Sequence, residues 1–145
     1  MRLITFVVVA LCVSAVPVLA QGMICSTESI RGNWGVVCSG SITPAPGAPL
    51  TQMTALGTAK IDAAGYTTSE ATLSVGGGIV TQNVTGQAVV KDDCTGTIKY
   101  SVKINGQPAP DINIRFFILD SGKQMRGISV DPGSILACQL HRIGM

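Results

Sequence analysis

One histidine, His141, is all the imidazole this sequence carries, and only 12% of its residues are charged. A Ser-His-Asp arrangement would have to recruit that lone ring near the chain end. A metal site would find too few ligands at suitable spacing. Aromatic residues make up 4% of the chain. Beyond residue 20 they are Trp34, Tyr66, Tyr100, Phe116 and Phe117, fewer than a stacking platform for sugars or single-stranded bases normally shows. Charge of one sign is lacking too. Ten basic residues less Arg2 leave nine against eight acids, which supplies no electrostatic footprint for nucleic acid or an anionic membrane. After residue 20, no apolar run approaches the length of a membrane-spanning helix.

What is present begins with MRLITFVVVALCVSAVPVLA. It has one basic residue, an apolar core from Leu3 to Val13, and small side chains at Val18 and Ala20. This is the pattern of a secretory signal peptide cut after Ala20, so the mature protein is expected to begin at Gln21 and to be secreted or periplasmic. Cys12 leaves with the leader. Lipidation there is disfavoured by the large Leu11 before it. About 125 residues then remain, enough for one domain with one core.

The mature segment is β-branched, threonine-rich and broken at short intervals by turn residues. The breaks are TPAPGAP (43–49), DAAG (62–65), GGG (76–78), KDDCTG (91–96), NGQPAPD (105–111), DSGK (120–123) and DPGS (131–134). They delimit eight predicted strands, at 31–42, 50–61, 66–75, 79–90, 95–105, 111–119, 124–130 and 134–143. Only 26–31 has any helical character. Ile98, Tyr100, Val102 and Ile104 alternate with Thr97, Lys99, Ser101 and Lys103, which marks an antiparallel strand with one wet face. Strands joined by short turns form a meander, and eight can close into an all-β, up-and-down barrel without edges. A β-sandwich is the alternative.

The stretches SIRGNWGVVCSG, GTAKIDAAGYTTSEATLSV, VTGQAVVKDDCTGTIKYSV, FFILDSGKQMRGISVDPGS and CQLHRI occur in that order across nearly the whole mature chain. In these the sequence resembles a family of small exported bacterial proteins described as allene-oxide-cyclase-barrel-like. The resemblance implies an eight-stranded barrel of the calycin and dirigent type. No stretch matches the plant cyclase's catalytic constellation, so the resemblance carries over no catalytic residue.

Four cysteines survive processing: Cys25, Cys38, Cys94 and Cys138. An even count in an exported chain favours two disulfides, for which three connectivities are possible. Barrel geometry chooses among them. The turn between strands 4 and 5 lies at the end where strand 1 begins, so Cys25 can meet Cys94. Cys38 on strand 1 and Cys138 on strand 8 lie at matching heights across the closing seam. Asp92-Asp93-Cys94-Thr95-Gly96 then reads as a structural turn, with Asp bonding the backbone and Gly96 supplying positive φ. Asp62, Asp111, Asp120 and Asp131 fall in predicted turns, Glu70 on a wet face. No pair of carboxylates is placed inside the barrel for acid–base work.

The expected interior includes Trp34, Val36, Met53, Leu73, Tyr100 and Phe116, with Ala55 and Ala59 leaving room. Arg115 either points outward with Asn113 or turns inward to hold an anionic group. Asn83 of the NVT sequon faces solvent. No cofactor or metal is implied. The leading expectation is a non-catalytic module binding one compact apolar ligand. A cyclase or isomerase acting by confinement would leave no motif. A structural or surface-interaction protein would have a filled core.

Overall fold

The computed structural model describes residues 24–43 and 47–144, so the leader expected at residues 1–20 lies outside the described residues. Eight strands succeed one another: β1 (Gly32–Ile42), β2 (Thr51–Ile61), β3 (Tyr66–Val75), β4 (Gly78–Val90), β5 (Thr95–Ile104), β6 (Gln107–Leu119), β7 (Gln124–Ser129) and β8 (Ser134–Gly144). Each pairs antiparallel with its sequence neighbour, and β8 returns to β1, closing an up-and-down barrel. Two short 3-10 turns, Thr27–Ile30 and Asp120–Gly122, complete the described elements.

Period-two alternation sorts the side chains. On β5, Ile98 and Val102 are buried and Tyr100 and Ile104 partly so, while Thr97, Lys99, Ser101 and Lys103 are exposed. The apolar inner faces gather into two clusters. The larger surrounds Trp34 near the start of β1; the smaller joins Met53, Ala55, Ala71, Leu73 and Leu136 towards the opposite end.

One strand boundary departs from the sequence reading. The break expected at 105–111 shrinks to Asn105 and Gly106, whose φ values of 49° and 81° make a two-residue hairpin loop. β6 therefore begins at Gln107 and runs through Pro108 and Pro110. β7 pairs only with Ile114–Leu119, which leaves the upper half of β6 as an edge. Proline is tolerated there because the absent N–H has no ladder partner. Asp111 accordingly lies in a strand, not a turn, with Oδ2 3.6 Å from Lys99 Nζ on β5.

The cysteines join as barrel geometry predicts, Cys25 to Cys94 and Cys38 to Cys138. Cys38 stands directly opposite Cys138 in the β1–β8 ladder. Two disulfides fit an oxidising compartment. The turn before β5 needs one correction. Positive φ belongs to Cys94 (65°), not to Gly96. Gly96 is a strand residue whose missing side chain admits a neighbouring ring: a Cβ there would lie 2.4 Å from Phe116 Cζ. Asp93 does what its type suggests, Oδ1 accepting from the Thr95 amide at 3.0 Å and the Thr95 hydroxyl at 2.6 Å. Those bonds hold its carboxyl below the usual pKa.

The end of the barrel where β1 begins is sealed. Trp34 is fully buried, and its indole N–H donates to the Ile30 carbonyl at 2.9 Å. The Arg142 guanidinium lies 4.5 Å from the Trp34 ring centroid. Arg142 also donates to three backbone carbonyls: Gly122 at 2.9 Å, Ser29 at 2.7 Å, and Arg31. One side chain thus ties both 3-10 turns to β8. Replacing Arg142 by alanine removes three charge-assisted bonds and a cation–π contact. The expected loss is about 2–4 kcal/mol, read as a lower midpoint in urea. Arg142→Lys should recover only part of it, because an ammonium lacks the planar fork.

Candidate ligand site at the open end of the barrel

The other end carries the β1–β2 connection, of which residues 44–46 lie outside the described residues, and the 76–77, 105–106 and 130–133 turns, and there the described inward-facing side chains keep partial access to solvent. Ile42, Val75, Val80 and Ile104 stand around the rim, packed on the smaller cluster yet only partly buried. Below them Val36, Cys38 and Ile112 have the same character. At the sealed end Trp34 and Ile30 are 0% exposed, and Ile61, Ala88 and Met125 are 1% exposed, although Val90 and Cys94 there are also only partly buried. At the end opposite, the rim side chains are partly accessible above a buried layer of Met53, Ala55, Ala71, Leu73 and Leu136. The upper β5–β6 hairpin rises past β7, leaving the β7 side of Ile112 without a ladder partner, while Tyr100 on β5 is paired to both β4 and β6.

Polar groups are few inside the barrel. Thr67 and Ser129 are buried, but their hydroxyls bond to Gly65 and to Ser134 and Leu136 respectively. Tyr100, Gln82 and Ser69 differ. Each holds an inward position on its strand and is partly accessible. Their side-chain polar atoms make no hydrogen bond to a described residue, and none is fully sealed from solvent. They therefore face accessible space.

The seat of Tyr100 is built by its partner on β4. Gly86 stands opposite it, and a Cβ on Gly86 would come within 2.7 Å of Tyr100 Cδ1. The ring thus lies over the glycine. Burial pushes the phenol pKa up, so Tyr100 stays neutral, able to donate one hydrogen bond and accept another. The sign of the pH effect follows. Above the unfolded phenol pKa of about 10, the unfolded state binds fewer protons than the folded state, so stability falls as pH rises. Tyr100→Phe should flatten the alkaline limb of a plot of unfolding free energy against pH. An unchanged limb would show that another group carries it.

Of the residues expected to line an interior site, Trp34, Met53, Leu73 and Phe116 are buried in packing. Val36 and Tyr100 remain accessible. Ala55 and Ala59 face inward and are buried too. Arg115 overturns its inward alternative: it is exposed on the outer wall, opposite Thr97 and Ile128. The reason is strand parity, since Ile114 and Phe116 on either side take the inner positions. Asn83 and Glu70 are exposed, as is His141 on the outer face of β8. The sequence reading missed Ser69, Gln82 and Ile112. For the first two the signal was available, as polar residues on the inner parity of strands 3 and 4.

The chemistry open to this interior is limited. Every described carboxylate lies on the outer wall or in a turn, so none flanks Tyr100 as a base. Among the described residues no group of three histidine, cysteine or acidic side chains could hold a metal ion. Comparison with family models, curated proteins and solved structures found no match. The class defined is a closed, eight-stranded, antiparallel up-and-down β-barrel.

Proposed function

We propose that the protein is a small exported binding module that takes one compact, mostly apolar ligand through the open end of the barrel. In this reading it belongs with the allene-oxide-cyclase-like barrels its turn motifs resemble, but works without a catalytic group. The observation that carries the reading is Tyr100: an inward phenol, neutral, seated on Gly86, with no hydrogen-bond partner among the described residues. An apolar mouth with a few convergent polar groups is the usual composition of a small-molecule site. The ligand would bury its apolar body against Val36, Ile112 and the rim, and present one carbonyl or hydroxyl to Tyr100, with Gln82 or Ser69 as a second contact.

Native mass spectrometry of protein purified from its own host tests this by looking for a bound small molecule. Tyr100→Phe should weaken binding of that molecule by about five- to tenfold, the worth of one hydrogen bond. Failure to find or reload any ligand, with Tyr100→Phe leaving every property but the alkaline limb unchanged, would favour a structural protein instead.

A further inference from the structure

A second feature lies outside the barrel. The outer wall of β5–β8 bears a groove of about 710 Å³, lined by Arg115, Phe117, Arg126 and Ile128, with Val89 and Lys91 at its β4 end. Phe117, Val89 and Ile128 are 47%, 56% and 58% exposed. Arg115 pairs with Ile128 and Arg126 with Phe117 in the β6–β7 ladder, which sets the two arginines diagonally on adjacent strands, about 7–8 Å apart at the backbone. Among the described residues neither guanidinium has an ion pair or a hydrogen bond. No acid lines the groove. Asp93, which interacts with Lys91 at the groove's β4 end, is already engaged by Thr95. Two like charges stand side by side, unrelieved, above exposed apolar side chains.

We propose that this groove is a second binding site, for a small amphipathic anion: an oxyanion head held by Arg115 and Arg126, and an apolar body laid across Phe117, Ile128 and Val89. Guanidinium forks match carboxylate and phosphate geometry, and an anion between them removes their repulsion. The size is that of a single small-molecule site. From β4 to β8 the groove crosses four strand spacings, about 19 Å, enough for an extended chain. An added peptide strand does not fit the geometry, because β5–β8 are fully paired here and offer no edge.

The site can be probed with decanoate below its micelle concentration, using decanol and decyltrimethylammonium as controls of equal chain length. Binding is followed by amide chemical shifts and calorimetry. Decanoate should shift residues of β6 and β7 on the groove, more weakly as salt rises, and bind about tenfold or more tighter than either control. Arg115→Glu with Arg126→Glu should abolish this binding while leaving circular dichroism unchanged. Tyr100→Phe should leave it intact, which separates this site from the barrel mouth. Arg115→Gln with Arg126→Gln should weaken it, a second check should charge reversal disturb the fold. Equal binding of decanol, no loss on either double substitution, or binding only to vesicles of anionic lipid with none to free decanoate would each overturn the proposal.

Discussion

Replacing Cys38 and Cys138 together by serine is expected to lower stability by about 4–5 kcal/mol, a large share of what a domain of this size possesses. The bridge closes 100 residues of sequence, the Cys25–Cys94 bridge 69. Loop entropy grows only logarithmically, so on that ground alone the two differ by a few tenths of a kcal/mol. The structure supplies the larger distinction. The segment held by Cys25–Cys94 is also held by Arg142, through its bonds to the Ser29 and Arg31 carbonyls, and by the Trp34 bond to Ile30. Cys38–Cys138 spans the one ladder whose strands are far apart in sequence. The Cys38→Ser/Cys138→Ser protein should melt roughly 10–20 °C lower, and the Cys25→Ser/Cys94→Ser protein by less. The reverse ranking in scanning calorimetry would show that the sealed end matters more than the seam.

Trp34→Ala is expected to cost about 3–5 kcal/mol, the range for truncating a large buried aromatic side chain. The indole fills the sealed end at 0% exposure beside Ile30, Ile61 and Met125, and that end is braced on all sides, so the cavity cannot collapse easily. Removal also strips the Ile30 carbonyl of its donor and Arg142 of the ring beneath it. Trp34→Phe isolates the lost donor: it keeps most of the volume and an aromatic ring but has no N–H, for about 1–2 kcal/mol. Urea unfolding followed by circular dichroism gives both values, since neither variant retains a tryptophan. A loss under 1 kcal/mol for Trp34→Ala would mean that the turn at Thr27–Ile30 does not plug the barrel.

Most of the barrel could be read from alternation, because each strand has a wet outer face and a dry inner one. Ile98, Val102, Leu73 and Ala71 announce their side of the sheet by their neighbours. β6 was harder for two separate reasons. Pro108 and Pro110 argue against a strand unless it is known that β7 stops short and leaves them an edge. Arg115 sits in a run apolar on both faces, where parity is visible only once the ladder is known. The glycines under Tyr100 and Phe116 are a matter of cross-strand packing, since a Cβ at Gly86 or Gly96 would meet both a ring and a backbone carbonyl of neighbouring strands. Arg142 is likewise silent in sequence. Its partners are carbonyls at positions 29, 31 and 122, and carbonyls are the same in every residue.

The meander also sets the order in which this molecule can assemble. Seven of its eight ladders join consecutive strands through short connections, so each can zip as a hairpin on the microsecond scale with little loop entropy to overcome. The eighth, β1 with β8, must wait until about a hundred residues have been drawn into a curved ribbon. Until then β1 and β8 both present unpaired backbone, the condition under which chains add to one another's edges. Closure is therefore both the slow step, as expected for a contact of such long range, and the step that removes the hazard. Oxidation of Cys38 and Cys138 acts after it as a latch, opposing the reopening through which the chain would be exposed to proteases and to its own copies.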